Sequence, residues 1–306
     1  MHPAKSLIFF TTISGAGFGL IFCLTLLALN DPFLISPAFT IAGGIAVLLA
    51  SAGLFSSLLH LGNPQRAWRA LSQWKSSWLS REGVLAVFTL GCFVLWLGLI
   101  IFSRIFVPWL GLVAAVGAGA TIFATAMIYT QLRPVPRWHT WLTPLCYLGF
   151  GLSSGAVIMT VLMPDAGLSR LVLVALVLAW LFKLVWWLRA DKTSRGGGKS
   201  SIKTATGLTD YAEVKLFERP HMTKNYLMKE MVFVVGRKHA RRLRQISLII
   251  GGILPVALLG LSADVQQAST LLVALAGAAH LCGLCLERWL FFAEAEHAVG
   301  FYYGQN

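Results

Sequence analysis

Charge is what this chain has least of. Its 306 residues include 25 Lys and Arg and 12 Asp and Glu, together 12% of the sequence. A soluble domain of this size carries about twice that fraction. The predicted spans near 6–29, 37–60, 83–103, 106–130 and 140–163 contain no Lys, Arg, Asp or Glu. Further apolar runs lie near 168–190, 245–263 and 268–293. A helix crosses the hydrocarbon core with roughly 20 apolar residues, so each run is long enough. The short alternating segments of a membrane β-barrel are absent. Lipid offers the backbone no hydrogen-bond partner, which forces the runs into helices. The expected fold is an all-α integral membrane protein, an eight-transmembrane-helix bundle.

Other features are also missing. Residues 1–5 lead into a run too long for a signal-peptide core, with no small-residue cleavage site after it. The first helix is expected to stay as its own insertion signal. The five cysteines, Cys23, Cys92, Cys146, Cys282 and Cys285, all fall inside predicted spans, as small buried hydrophobes do. Cys282-x-x-Cys285 has no second pair to complete a metal site. Gly196-Gly197-Gly198-Lys199-Ser200 lacks the first glycine of a phosphate-binding loop, since Thr193 stands there, and no strand precedes it. Membrane dihaem needs several facing histidines near mid-bilayer, and only His280 lies deep. No metal or haem is expected in this chain.

The charge that is present lies mostly at one end. With eight spans both termini share a side. That side holds Lys5, Arg66, Arg69, Lys75, Arg81, Arg133, Arg137 and the long 191–244 segment, against Arg104 and Arg170 opposite. The net +13 therefore reads as a topology signal rather than a nucleic-acid signal. The positive-inside rule puts both termini in the cytoplasm. Three regions follow: 1–190 with six spans, a 191–244 cytoplasmic loop, and 245–306 with two spans and a tail. Residues 192–210 are rich in Ser, Gly, Lys and Thr and read as a flexible linker. From Asn225 to Arg244 the pattern suits a helix on the membrane surface or against a partner. Trp74, Trp78, Trp138, Trp141, Trp186 and Trp187 are expected in the interfacial belt. Gly15, Gly17 and Gly19, Gly117 and Gly119, and Gly151 and Gly155 mark close helix packing.

Three clusters bear chemistry. His60 ends the second span, where a neutral imidazole can take a proton; a plain interfacial histidine is the alternative. Gly62 and Pro64 fix the turn that carries Arg66 and Arg69 past it. His280, Glu287 and Glu294 recur every seven residues on one face of the last span, with Arg288 adjacent. Ionisable groups inside a span face a partner or a wet path, so they form either a proton path or a structural ion-pair network. Glu296 and His297, at its exit, read as solvated. The loop Tyr129 to His139, with Arg133 among prolines and aromatic residues, covers a headgroup site beside His60, contacts a partner, or is a plain connector.

These segments together resemble the membrane-anchor subunit of the dimethyl sulfoxide reductase (DmsC-type) family. The resemblance rests on Leu59-His60-Leu61-Gly62-x-Pro64-x-Arg66-Ala67-Trp68-Arg69-Ala70, then Ser77-Trp78-Leu79-Ser80-Arg81-Glu82. Met127-Ile128-Tyr129-x-x-Leu132-Arg133-Pro134 with Trp138-His139 extends it. Pro220-His221-x-Thr223-x-Asn225-Tyr226-Leu227-x-x-Glu230-Met231 and Arg237-Lys238-His239-Ala240 continue it. It ends with Glu287-Arg288-Trp289-Leu290-Phe291-Phe292-Ala293-Glu294-Ala295-Glu296-His297. The resemblance implies a subunit of a bacterial inner-membrane molybdoenzyme complex in anaerobic respiration. It implies an iron–sulfur electron-transfer subunit and a molybdenum-cofactor catalytic subunit as partners. It implies oxidation of menaquinol or ubiquinol, with His60 as the quinol-linked histidine. On this expectation quinol enters between spans two and three, and His60 accepts its proton. Glu82 is a second acceptor, and Arg66, Arg81, Tyr129 and Arg133 are near the ring or the partner. The competing readings are a secondary transporter using His280, Glu287 and Glu294, and a structural anchor with no quinone site.

Overall fold

The computed structural model describes residues 3–59, 63–164, 169–193, 202–210, 214, 217, 239–264 and 269–297. Among them no strand occurs, and eight helices are long and apolar enough to cross a membrane. They are α1 (Lys5–Asn30), α2 (Pro37–Leu58), α3 (Trp78–Ser103), α4 (Pro108–Thr130), α5 (Leu142–Leu162), α6 (Ser169–Lys192), α7 and α8 (Ser269–Ala293). The α7 span joins Ala240–Leu248, a π-helical turn at Ile249–Ile253, and Leu254–Asp264.

Local chemistry sets several starts. The Ser36 hydroxyl accepts from the Phe39 amide at 3.3 Å, with Pro37 at the first helical position. The Ser77 hydroxyl accepts from the Ser80 amide at 3.4 Å and starts α3 at Trp78, ahead of the apolar run predicted from 83. Arg81 and Glu82 therefore stand inside the helix. In the same way α7 begins at Ala240, so Arg244 belongs to a span and not to a surface helix. The rest of the predicted surface helix, 225–238, lies outside the described residues. So do residues 194–201 of the predicted linker, while Ile202–Thr206 form a helical turn.

Glycine decides how the helices pack. Any Cβ on Gly17 would overlap the backbone of Ala50 in α2, and any on Gly19 would overlap the carbonyl of Gly151 in α5. Gly155 meets Gly19 and Leu20 just as closely. Between apolar helices in lipid, such backbone contact supplies the van der Waals attraction that hydrophobic exclusion cannot. Two faces of α1 are thus clamped, one to α2 and one to α5. On the other side Gly117 of α4 makes room for Thr89 of α3.

The π turn of α7 has a similarly local cause. In an α-helical register the Gly251 carbonyl would accept from residue 255, which is Pro255 and has no N–H. Two side chains replace that donor. Trp180 Nε1 donates to the Gly251 oxygen at 2.8 Å, and His280 Nδ1 lies 2.8 Å from it. His280 Nε2 then accepts from the Ser154 hydroxyl at 3.1 Å. His280 is fully buried, and both its ring nitrogens are engaged.

Tryptophan placement departs from the expected belt. Trp74 and Trp141 are exposed, but Trp138, Trp186 and Trp187 are buried. Trp138 Nε1 donates to the Phe291 carbonyl at 3.0 Å, and Trp186 Nε1 to the Thr143 hydroxyl at 3.0 Å. These indoles close the core at its basic end instead of facing lipid headgroups. Glu296 and His297 are half-buried. Of the cysteines only Cys146 is buried, while Cys282 is exposed on the bundle surface.

Two outcomes are expected. Gly155→Val forces α5 off α1, costs on the order of 3 kcal/mol, and shows as loss of monodisperse protein on size exclusion in detergent. His280→Leu alone costs about 1–3 kcal/mol by leaving polar groups unpaired. The same change costs less in a Pro255→Ala background, where residue 255 regains its N–H; thermal unfolding of the four proteins of the cycle measures the difference.

Candidate functional site

A cavity of about 820 Å³ lies near the basic end, between α1, α2, α3 and the end of α4. Its origin is a gap. α2 is held to α1 by the glycine contacts and α3 to α4, so these consecutive helices barely meet. Leu7 and Phe10 form the back wall. Leu54, Phe55 and Leu58 of α2 and Ala86, Val87 and Leu90 of α3 form the sides. Phe55 and Val87 are also 66% and 65% exposed on the outer surface, so the cavity mouth opens sideways where lipid would lie.

A 3₁₀ segment, Pro64–Gln73, roofs the cavity at the basic end; Arg66, Ala67, Ala70 and Leu71, with the preceding Asn63, join its lining. Polar contacts fasten the roof to α3. The Ser80 hydroxyl donates to the Ala70 carbonyl. Arg81 donates to the carbonyls of Trp74, at 3.0 Å, and Lys75, at 2.7 Å, and its guanidinium lies 4.4 Å from the Trp78 ring centroid. Arg81 thus holds the turn between roof and helix and is not among the cavity-lining residues. Gly83 lets Leu71 approach the α3 backbone.

One carboxylate stands in this apolar wall. Glu82 lines the cavity, is 3% exposed, and accepts a hydrogen bond from Thr125 of α4 at Oε1. Tyr129, one turn further along α4, lines the same end. Its ring stacks on Tyr147 at 5.8 Å between centroids and meets Trp138, Phe291 and Phe292 edge-on. Arg66 is exposed to water and also lines the cavity. The structure thus brings Glu82, Tyr129 and Arg66 together. Arg133 is exposed on the following loop and does not line the cavity. His60 lies outside the described residues, but its chain neighbours Leu58 and Asn63 both line the cavity.

The loop bearing Arg133 turns toward the far helices. Arg137 Nη1 lies 2.9 Å from Glu294 Oε2 and Nη2 lies 3.6 Å from Asp191. Arg244 pairs with Asp191 at 2.8 and 2.9 Å and with Glu294. Arg189 donates to the carbonyls of Pro136 and His139 at 3.2 Å each. Arg137, Asp191, Arg244 and Glu294 form an ion network that ties the loop after α4 to α6, α7 and α8.

Deeper in the core, Lys183 of α6 pairs with Glu287 of α8, and Arg288 Nε lies 3.4 Å from the same carboxylate. Lys183 Nζ lies 3.8 Å from the Trp186 ring centroid, and the Arg288 guanidinium 3.8 Å from that of Tyr147. All three ionised side chains are at most 2% exposed. Lys183 had a signal in the sequence, as a lone lysine inside an apolar run. Thr125 had none, since a mid-helix threonine is unremarkable until its partner is known. The three acid and histidine positions of the last span therefore occupy three separate polar arrangements, each with fixed partners, and not one continuous path.

Eight spans, the first four of which border a laterally open apolar cavity with one buried carboxylate in its wall under a cationic aromatic roof, define a multi-pass membrane protein. The chain matches the DMSO reductase anchor subunit (DmsC) family over residues 1–293 and belongs to that family. It is similar to a sulfite dehydrogenase subunit of Allochromatium vinosum (strain ATCC 17899 / DSM 180 / NBRC 103801 / NCIMB 10441 / D), with 32% identity over 334 aligned positions and 99% of each chain covered. No solved structure matches it. As an anchor of this family it associates with a catalytic molybdoenzyme and electron-transfer subunits.

Breaking the deep ion pair has a defined outcome. Lys183→Met leaves a buried, undercompensated Glu287 and costs about 3–5 kcal/mol. Adding Glu287→Met recovers much of that loss, and thermal unfolding in detergent distinguishes the single variant from the double.

Proposed function

We propose that the large cavity is a quinol site, and that this anchor oxidises menaquinol or ubiquinol and passes the electrons to an iron–sulfur subunit serving a molybdenum-cofactor catalytic subunit. One observation carries the reading. A buried carboxylate, Glu82, stands at the water-facing end of an apolar cavity whose mouth opens sideways toward lipid. A hydrophobic two-electron carrier fits such a site: its tail needs an apolar, laterally open channel, and its ring hydroxyls need proton acceptors. The basic end is assigned to the cytoplasm on the charge asymmetry of the loops.

The chain's own groups divide the work. His60 takes the proton of one ring hydroxyl and Glu82 that of the other. Tyr129 and Arg66 line the same end and are placed to hydrogen-bond ring oxygens. Two O–H bonds break, two electrons leave for the partner's cluster, the two protons rest on His60 and Glu82, and a quinone remains. The roof, held by Arg81, separates this chemistry from bulk water.

The relative's name favours a second direction of flow. A sulfite dehydrogenase oxidises its substrate, and an anchor in that setting receives electrons. By microscopic reversibility the same two groups then give protons to a quinone. The transporter reading is disfavoured because His280, Glu287 and Glu294 are already committed to fixed partners.

The test uses the complex purified with its partner subunits from its native host. Glu82→Gln and His60→Ala are each expected to lower turnover with a reduced quinone analogue about 100-fold, with the partners still co-purifying. Full turnover in both variants overturns the site and leaves a structural anchor. Running the assay with an oxidised analogue and the catalytic subunit's reduced substrate decides the direction.

A further inference from the structure

Behind Glu82, on the other side of Thr125, lies a second and much smaller cavity. Its volume is about 10 Å³, which is close to the space one water molecule needs. Thr12 of α1, Thr125 of α4, Tyr147 of α5 and Arg288 of α8 bring polar groups to its wall, and Gly15 and Gly151 leave the room. Two of those polar groups have no hydrogen-bond partner among the described residues: Tyr147 Oη and Arg288 Nη1. Both side chains are at most 3% exposed. An unpaired guanidinium N–H and phenol in a membrane core are costly, and both border this one small space.

The charge balance points the same way. In the core, Lys183 and Arg288 face the single carboxylate Glu287. Glu82 is the next acid outward, across Thr125 and the small cavity. Of the other elements around it, α2 contributes no described ionisable group to the cavity wall, the roof contributes Arg66, and α4 contributes Tyr129. The Thr125 hydroxyl has one hydrogen, shared between Glu82 Oε1 and the Thr121 carbonyl at 3.0 Å. Its lone pairs are left to accept from a third group.

We propose that the small cavity binds one water molecule, held by Tyr147 Oη, Arg288 Nη1 and the Thr125 hydroxyl, and that this water links Glu82 in the quinol cavity to the Arg288 guanidinium. Thr125 and Tyr147 are then positioning residues. They hold Glu82 in a fixed hydrogen-bonded geometry and connect it to the Arg288 guanidinium, whose Nη1 has no acceptor among the described residues. Ionised Glu82 brings the buried set to two positive and two negative charges, and a proton arriving on Glu82 unbalances it. The inference rests on the reading of Glu82 as a proton acceptor for its significance, but the water and the linkage can be measured without turnover.

The experiment is infrared difference spectroscopy of the full chain in lipid nanodiscs, stepping the pH across the protonation of Glu82. The Glu82 carboxyl band is the one absent in Glu82→Gln. The spectrum is expected to contain a water O–H stretch that shifts in H₂¹⁸O and is lost in Tyr147→Phe, which keeps the ring and removes only the hydroxyl. Thr125→Val, which removes another of the three groups that hold the water, is expected to lose the same band should Tyr147→Phe fail to fold. Thr125→Val is expected to raise the Glu82 C=O stretching frequency by removing its donor, and Thr125→Ser to restore it. The absence of an ¹⁸O-sensitive band, or its persistence in Tyr147→Phe, overturns the proposal. Full quinol turnover in Glu82→Gln overturns the functional reading instead and leaves this linkage standing.

Discussion

A polar group inside a bilayer has nothing to bond with except the protein, and this constraint organises the whole bundle. The Gly251 carbonyl, which Pro255 cannot serve, takes Trp180 and His280. Lys183, Glu287 and Arg288 collect into one aromatic-lined cluster. Glu294 gathers Arg137 and Arg244. Against that background Glu82 is the exception. Its one hydrogen-bond partner among the described residues is a neutral hydroxyl, and it borders open space. A carboxylate so lightly compensated is expensive to keep for structure alone, which is why it draws the functional assignment.

The fold was legible because hydropathy is a property of composition. Eight runs became eight helices, and their boundaries fell within a few residues of the expected ones. The errors came where charge sits inside a helix: Arg81 and Glu82 in α3, and Arg244 in α7, lie beyond the edge of any apolar run yet inside the hydrogen-bonded spiral. Tryptophans were misread for a related reason. Whether Trp186 faces lipid or core depends on the rotation of α6 about its axis, and hydropathy is blind to rotation when every face of the helix is apolar.

The site was legible only in part. Glu82 and Tyr129 could be picked from sequence because a charged or phenolic residue at a span end is scarce. The cavity they share could not. It exists because α1 attracts α2 while α4 attracts α3, and no local sequence pattern records the absence of contact between two consecutive helices. Arg81 and Arg133 show the converse limit, since residue type and loop membership predict proximity to a site but not which way a side chain turns. Arg81 turns to backbone carbonyls of its own loop, and Arg133 stays outside the cavity.

The Asp191–Arg244 pair has one more consequence. It joins the last turn of α6 to the first turns of α7, so the two ends that the intervening segment must connect are held together. The staple sets the distance that this connection has to span. Each doubling of such a loop then adds only about 0.6 kcal/mol of entropy. Chain length between the two helices is therefore a cheap variable for this bundle so long as Asp191 and Arg244 stay paired.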